Sequence, residues 1–253
     1  MAMKRLPFLA LLATLLISAC TATAPSDTPA LLPIEAHTVS GDRAVLVAGD
    51  GQLPVFDNAV NAMANRLPGV AIRQLSDTPE VIARDNLPSA SLGHVLNAIA
   101  GMKPSPGYGC FVFATSHGIR GRGLELAASE QTLDPVALDR ALVRGCGDAP
   151  TVVIVSGCFT GGFARAPMTR PNRIILTASR TDRTSFGCGA GRTYTVFDEC
   201  LLSAMDGNGT WEDAYAVIRR CVGREELRGD FLPSEPQAYF GAQVAGMALP
   251  PRS

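Results

Sequence analysis

The chain has 253 residues, of which 47% are hydrophobic and 18% are charged, and its formal net charge is −1. This is a globular composition, large enough for one sizeable core and one α/β domain. The sequence carries no basic stripe, so we predict no nucleic-acid partner. We also predict no metal ion and no cofactor.

Residues 1–19 are predicted to be a signal peptide. Lys4 and Arg5 supply its positive charge, and the apolar stretch 6–17 is too short to span a bilayer as a mature helix. Small residues then precede Cys20 in the sequence ISAC. This resembles a bacterial lipobox, in which the cysteine is lipidated and becomes the new N-terminus. The alternative is an ordinary secretory signal that is cleaved just before Cys20.

Thr21, rather than an aspartate, follows Cys20. By resemblance to Gram-negative lipoproteins, this predicts an outer-membrane lipoprotein that faces the periplasm and is held to the membrane through a lipid at Cys20. Residues 20–40 are rich in Thr, Ala, Pro and Ser and are predicted to be a flexible tether. The remaining segment, 41–250, is the predicted folded domain.

Strands and helices are predicted to alternate through this domain. A strand over 43–49 precedes a helix in which apolar residues recur at helical spacing from Phe56 to Leu67. A strand over 69–75 precedes a second helix, for which Ser91 is a plausible cap. The next predicted strands cover 109–116 and 123–127.

The second half of the domain continues the alternation. Asp134-Pro135 is a cap followed by proline at the first helical position, which predicts a helix from this point. Strands are predicted over 151–157 and 172–178, then a helix after the capping box at Thr210 to Asp213, then a final strand over 238–244. Apolar strands that alternate with helices predict a mostly parallel sheet covered on both faces.

Two of these strands end in reactive side chains. One ends at Ser116-His117-Gly118 and the other at Gly157-Cys158. Neighbouring parallel strands would place both side chains at the edge where ligands bind in such sheets. There an imidazole can take the proton of a thiol, and the backbone N–H groups of Gly118 and Cys158 can converge on a substrate carbonyl oxygen.

The other cysteines are compatible with several pairings. An exported protein can form disulfides, but the sequence does not fix their connectivity. If Cys158 stays free, at least one further cysteine is unpaired. Cys188 and Cys200 flank a stretch that a disulfide could bridge, and two free buried thiols are the alternative.

The chain resembles the legumain family of cysteine peptidases, within the caspase-like clan, over roughly residues 43–200. The resemblance lies in VLVAGDG, in the strand that ends in His-Gly, in the strand that ends in Cys, and in ILTASRTDRTSFGC, which occur in that order. The separation of Cys158 from His117, 158 − 117 = 41 residues, is close to the legumain pattern. The resemblance implies a caspase-like three-layer α/β/α sandwich with a mostly parallel central sheet.

The resemblance also implies roles for individual residues. Cys158 would be the nucleophile, His117 the base or proton relay, and the Gly118 and Cys158 amides the oxyanion hole. Thr184 and Ser185 would lie near the pocket for the substrate residue that precedes the scissile bond. We therefore predict a cysteine endopeptidase that acts on a peptide or protein through a thioester.

The sequence departs from the legumain pattern at several positions. Ser156 stands where legumains carry an acidic residue, and we predict that it contributes to substrate binding. Ser116 stands where legumains carry an aspartate. The basic residue that legumains have after the first strand is absent. Asparagine specificity is therefore not implied. Local candidates for a different preference are Asp57, Arg180, Asp182, Arg183 and Arg192. A transpeptidase that uses the same dyad and a non-catalytic envelope scaffold remain the alternatives.

Overall fold

The computed structural model describes residues 41–189 and 191–251. Six of its strands are β1 (Arg43–Ala48), β2 (Ala71–Leu75), β3 (Cys110–Thr115), β7 (Thr151–Ser156), β8 (Arg173–Thr177) and β9 (Gln237–Phe240). They form one sheet in the spatial order β2-β1-β3-β7-β8-β9. Every neighbouring pair is parallel except β8 and β9, which are antiparallel. The prediction of a mostly parallel sheet is confirmed.

Helices cover both faces of this sheet. One face is packed by α1 (Val55–Ala64), α5 (Val196–Met205) and α6 (Trp211–Arg228), and the other by α3 (Leu92–Ala100) and α4 (Pro135–Cys146). A shorter helix, α2 (Pro79–Asp85), follows β2. The helices and the sheet make three layers, so the predicted α/β/α architecture is confirmed.

The residues of β3 show how the sequence selects these layers. All six of its residues are buried, as expected for a strand covered on both faces. Phe111 and Phe113 belong to the core under α1, α5 and α6, whereas Val112 and Ala114 belong to the core under α3 and α4. This alternation follows from the two-residue period of a strand.

Three short strands form a second, antiparallel sheet between β3 and α4. They are β4 (Gly118–Ile119), β5 (Gly123–Leu126) and β6 (Gln131–Leu133), in that spatial order. The small sheet is joined to the main one through backbone bonds: Glu125 N–H donates to the His117 carbonyl at 2.8 Å, and Ala127 N–H donates to the Gly49 carbonyl at 2.9 Å. The His117 backbone is therefore bonded to β5 of the small sheet.

The predicted helix caps are confirmed. Ser91 accepts a bond from the N–H of His94, and Asp134 accepts bonds from the first turn of α4. Thr210 and Asp213 form a reciprocal capping box at the start of α6. The elements β4, β6, α2 and α5 were not predicted, because they are very short or lack a clear period.

An ion cluster around the buried Asp139 carboxyl ties α4 to the start of β8 and the segment before it. Asp139 on α4 bonds Arg170 at 2.9 Å and Arg173 at 2.8 Å. Arg173 is 1% exposed, so its charge depends on this carboxylate. The Arg170 and Arg173 bonds hold the pKa of the Asp139 carboxyl below its usual range, although burial acts against them.

The disulfides correct one expectation and leave another in place. Cys110 is bonded to Cys146, and Cys200 is bonded to Cys221. Both ideas for Cys188 and Cys200, a mutual bridge or two free thiols, are therefore wrong, because Cys200 has a different partner. Cys158 and Cys188 are the free cysteines among the described residues. The prediction that a further cysteine is unpaired if Cys158 is free is therefore confirmed.

The predicted signal peptide, Cys20 and the tether lie outside the described residues, as does His37. No helix within 41–189 and 191–251 has the length and apolar character needed to cross a membrane. The domain boundaries given above stay predictions.

Candidate active site

The strands that precede His117 and Cys158 are direct neighbours in the sheet. β3 and β7 run parallel, and their last paired residues are Thr115 and Ser156. His117 and Cys158 each follow two positions later, so both lie beyond the carboxyl end of the sheet. This is the edge at which the sequence predicted that they would meet.

A network of hydroxyls and amides fixes the turn at Cys158. The hydroxyls of Thr160 and Ser179 donate to the Gly157 carbonyl at 2.9 and 3.0 Å. Phe159, which follows the thiol, has a left-handed backbone with φ of 60°, and its N–H donates to the Arg183 carbonyl at 2.9 Å. A non-glycine residue in this conformation is uncommon, so the turn is held by its surroundings.

The Cys158 thiol is half-buried and contacts main-chain groups. The Ser185 N–H donates to Cys158 Sγ at 3.3 Å, and the Ser185 carbonyl oxygen lies 3.4 Å from the same sulfur. Burial raises the pKa of the Cys158 thiol, while the N–H groups of Ser185 and Gly118 act in the opposite direction. In this structure the thiol is therefore the favoured form, with two donors ready for the thiolate.

Gly118 is packed directly against the backbone of Cys158. A Cβ atom at position 118 would lie 1.7 Å from the Cys158 carbonyl oxygen, which no side chain can tolerate. The close approach brings the Gly118 amide to the thiol and accounts for glycine at this position. It also places the two amides that the sequence predicted as an oxyanion hole on adjoining stretches of backbone.

The His117 imidazole lies between α1 and a second thiol. Its ring packs edge-on against Phe56, with 5.4 Å between ring centres. Its hydrogen bond to Cys188 raises the pKa of the imidazole, burial opposes this, and the negative charges of Asp50 and Glu125 add to the rise. The imidazole therefore favours its protonated form more than a free histidine does.

Cys188 is a neighbour of His117 that the sequence did not identify. The hydrogen bond from His117 lowers the pKa of the Cys188 thiol, with burial acting against it. The pKa values of the two free thiols, Cys158 and Cys188, are therefore shifted in opposite directions. A lone cysteine in a glycine-rich loop gives no sequence signal for such a contact, because the contact depends on how the loop folds back.

The loop after β8 brings Ser185 to the thiol and leaves Thr184 exposed. Ion pairs with Glu235 hold this loop at Arg180 and Arg183, at 2.6 and 3.7 Å. The Phe186 ring stacks on the Phe231 ring at 4.5 Å. The loop is therefore supported by the segment that precedes β9.

The charged residues considered for a pocket preference each have a partner. Arg180 pairs with Asp182 as well as with Glu235, and Arg192 pairs with Glu199. Asp57, at the start of α1, accepts hydroxyl bonds from Ser76 and Thr78. A preference based on any of these groups stays a prediction.

Ser156 and Ser116 are buried at the strand ends. Ser156 is 1% exposed, and its hydroxyl bonds the Asp198 carboxyl of α5. The Ser116 hydroxyl is buried and has no hydrogen-bond partner among the described residues. The substrate contact suggested for Ser156 stays a prediction; in this structure its side chain faces the core.

Known proteins are similar to this chain in sequence pattern and in fold. A model of the Peptidase C13 family matches residues 102–240, or 139 of the 253 residues. The crystal structure of caspase-1 from Spodoptera frugiperda is similar to the chain with a TM-score of 0.52 and 12% sequence identity, over 79% of this chain and 86% of that one. At this identity the similarity shows the fold alone, which is caspase-like. No curated protein matches the chain.

Proposed function

The chain belongs to the Peptidase C13 family, the legumain family of cysteine peptidases, and from this premise we propose that it cleaves peptide bonds with Cys158 as nucleophile and His117 as proton relay. The observation that carries the proposal is the position of both residues directly after two adjacent parallel strands, with Cys158 unbridged. The family and the fold support a cysteine peptidase; the two roles are our assignment.

The proposed reaction begins at the sulfur. The Cys158 thiolate attacks the carbonyl carbon of a peptide, and the carbonyl oxygen takes up the negative charge opposite the Gly118 and Cys158 amides. The C–N bond then breaks, the leaving amine takes a proton from His117, and a thioester remains on Cys158. Water attacks the thioester as His117 accepts its proton, the C–S bond breaks to release the acid product and the Cys158 thiolate, and His117 can return the proton to the sulfur.

The electrostatics of the site bear on this sequence. A raised imidazole pKa suits the step in which His117 gives a proton to the leaving amine. The raised pKa of the Cys158 thiol disfavours the thiolate, so the mechanism includes transfer of the thiol proton to the His117 imidazole before the attack. The reaction therefore requires His117 to serve Cys158 rather than Cys188.

A substrate-like probe tests the assignment. We would treat the folded protein with a library of peptidyl acyloxymethyl ketones and identify the modified cysteine by mass spectrometry. Labelling at Cys158 that is lost in Cys158→Ala and strongly slowed in His117→Ala supports the proposal. Cys188→Ala is the matched control, because it removes the other free thiol and should keep the label on Cys158.

The same experiment separates the outcomes. If no probe of the library modifies Cys158, or if His117→Ala is labelled at the wild-type rate, the proposed dyad is wrong. Peptides cleaved by the active protein then give the substrate preference. The mass of the products, with and without an added amine, shows whether water or an amine resolves the thioester.

We also propose that a lipid at Cys20 holds the protein to the outer membrane on its periplasmic side. Support comes from the sequence that precedes Cys20 and from Thr21 after it. Metabolic labelling with a radioactive fatty acid should mark the wild type and not Cys20→Ala. A soluble and unlabelled wild-type protein would leave the ordinary secretory signal as the explanation.

A further inference from the structure

Asp198 is a carboxyl group buried directly beneath the candidate active site. It lies in the first turn of α5 and is 0% exposed. A charged or strongly polar group is expensive to bury unless its partners compensate for the lost water. The contacts of Asp198 therefore indicate why this residue stands where apolar side chains would otherwise fill the core.

The partners of Asp198 are hydroxyls from the two strands that lead into the site. The Thr115 hydroxyl, at the end of β3, donates to Asp198 Oδ2 at 2.8 Å. The Ser156 hydroxyl, at the end of β7, bonds the same carboxyl. Thr115 and Ser156 are also direct partners in the register of the sheet. One carboxyl thus joins the last paired residues of both strands.

Thr115 and Ser156 each lie two residues before a reactive side chain along the sequence. His117 comes two positions after Thr115, and Cys158 comes two positions after Ser156. The direction in which each chain leaves the sheet is set at these residues. A shift of either strand end would change the separation of the imidazole and the sulfur.

The third hydroxyl near the carboxyl has a different role. Thr195 caps α5: its hydroxyl accepts a bond from the Asp198 N–H at 3.1 Å and also bonds the Asp198 side chain. Thr195 belongs to neither strand. It therefore provides a control that changes the surroundings of Asp198 without releasing β3 or β7.

The protonation of Asp198 is consistent with a fixed structural link. Burial raises the pKa of its carboxyl, and the three hydroxyls oppose this only in part. Its Oδ1 atom has no hydrogen-bond partner among the described residues. A neutral carboxylic acid leaves less charge uncompensated at that atom than a carboxylate would.

We propose that Asp198 is a positioning residue that joins the ends of β3 and β7 through Thr115 and Ser156 and thereby sets the alignment of His117 with Cys158. This inference rests on the proposed function, since it assigns the link a role in that dyad. Asp198 does not itself touch the reacting atoms. Its effect is on the rate of the chemical step, because a displacement of about 1 Å in such a pair can slow a reaction about 100-fold.

The test compares variants by the kinetics of probe labelling at Cys158, in a Cys188→Ala background. The dependence of the labelling rate on probe concentration gives two quantities, a dissociation constant for the probe and a maximal rate of bond formation. We expect Asp198→Ala to lower the maximal rate about 10-fold to 100-fold, in line with a misaligned pair, and to leave probe binding within about threefold. Asp198→Asn, which is neutral and keeps hydrogen-bonding atoms, should recover most of the rate.

Two further variants, which keep Asp198, test the link even where Asp198→Ala folds poorly. Thr115→Val and Ser156→Ala should each lower the maximal rate, and neither should slow it further once Asp198 is already alanine. Thr195→Val, the control, should lower the melting temperature and keep the wild-type rate. The proposal would be overturned if Thr195→Val and Asp198→Ala had equal effects on the melting temperature and on the maximal rate of labelling. A wild-type maximal rate in folded Asp198→Ala, or in both Thr115→Val and Ser156→Ala, would also overturn it.

Failure of the proposed function gives a different result. In that case the wild-type protein itself is not labelled at Cys158, or its labelling does not depend on His117. A protein whose labelling depends on His117 and is indifferent to Asp198 retains the proposed function and contradicts only the positioning role.

Discussion

The two disulfides should contribute measurably to stability, and the bridge between Cys110 and Cys146 should do so without affecting the candidate site. Cys110 and Cys146 are 36 residues apart, and Cys200 and Cys221 are 21 residues apart. The loop-entropy relation converts these separations into about 3.8 and about 3.3 kcal/mol at 25 °C. For a domain of this size, we expect the loss of either bridge to lower the melting temperature by about 7–15 °C.

The position of the first bridge explains why labelling should be spared. Cys110 begins β3, whereas His117 lies beyond the other end of that strand. Six residues of β-strand span about 20 Å, so the bridge and the reactive edge are at opposite ends of the sheet. The second bridge lies between α5 and α6. At a temperature where the Cys110→Ala/Cys146→Ala variant is folded, its rate of Cys158 labelling should match the wild type.

Calorimetry of the variants Cys110→Ala/Cys146→Ala and Cys200→Ala/Cys221→Ala, each with and without reductant, provides the measurement. Reductant should lower the melting temperature of the wild type and have a smaller effect on each double variant, which has one bridge left. The two bridges serve different cores, so their effects should add. Double variants that melt with the wild type would show that the bridges do not stabilise the native protein. A slower Cys158 label in the folded Cys110→Ala/Cys146→Ala variant would refute the separation of bridge and site.

Three further predictions concern single positions. Gly118→Ala should lower the rate of Cys158 labelling about 100-fold or more, because the new Cβ atom would lie 1.7 Å from the Cys158 carbonyl oxygen. Gly93→Ala is the control, since a Cβ atom there has no neighbouring atom within 4 Å. Asp139→Ala should lower the free energy of unfolding in urea by about 3–5 kcal/mol, since it leaves a buried arginine unpaired, and a loss below about 1 kcal/mol would contradict this. The rate of alkylation by iodoacetamide should rise with pH at both free thiols. For Cys188 the midpoint of this rise should lie below that of an ordinary thiol, and for Cys158 it should lie above it. Midpoints in the reverse order would show that the imidazole does not favour the Cys188 thiolate.

The parts of the fold that could be predicted are those with a strong local signal. The apolar runs of β3 and β7 are typical of buried parallel strands. Ser91, Asp134 and Thr210 indicate where helices begin, because a cap depends only on residues nearby in the sequence. The position of the two reactive side chains then follows from the topology of a parallel sheet. This is why the shared edge was predictable from the order of elements alone.

The parts that could not be predicted depend on contacts between distant segments. β4 has two residues, too few to show a period. The pairing of Cys200 with Cys221 depends on how α5 packs against α6, which the spacing of cysteines does not reveal. Asp198 has the appearance of an ordinary acidic residue in the first turn of a helix, and only the packing of α5 under the strand ends reveals its buried hydroxyl partners.

The sulfur of Cys158 meets the main chain on two sides, at Gly118 and Ser185, and this has a consequence for engineering. Peptide groups are present whatever residue is encoded, so the contacts at the reacting atom do not depend on the side chains of the loop after β8. Under the proposed function, exchanging residues such as Thr184 should change which peptides are accepted while the contacts at the sulfur are kept. Libraries that vary this loop and leave Gly118 unchanged are therefore the natural starting point for altering the selectivity of the proposed activity.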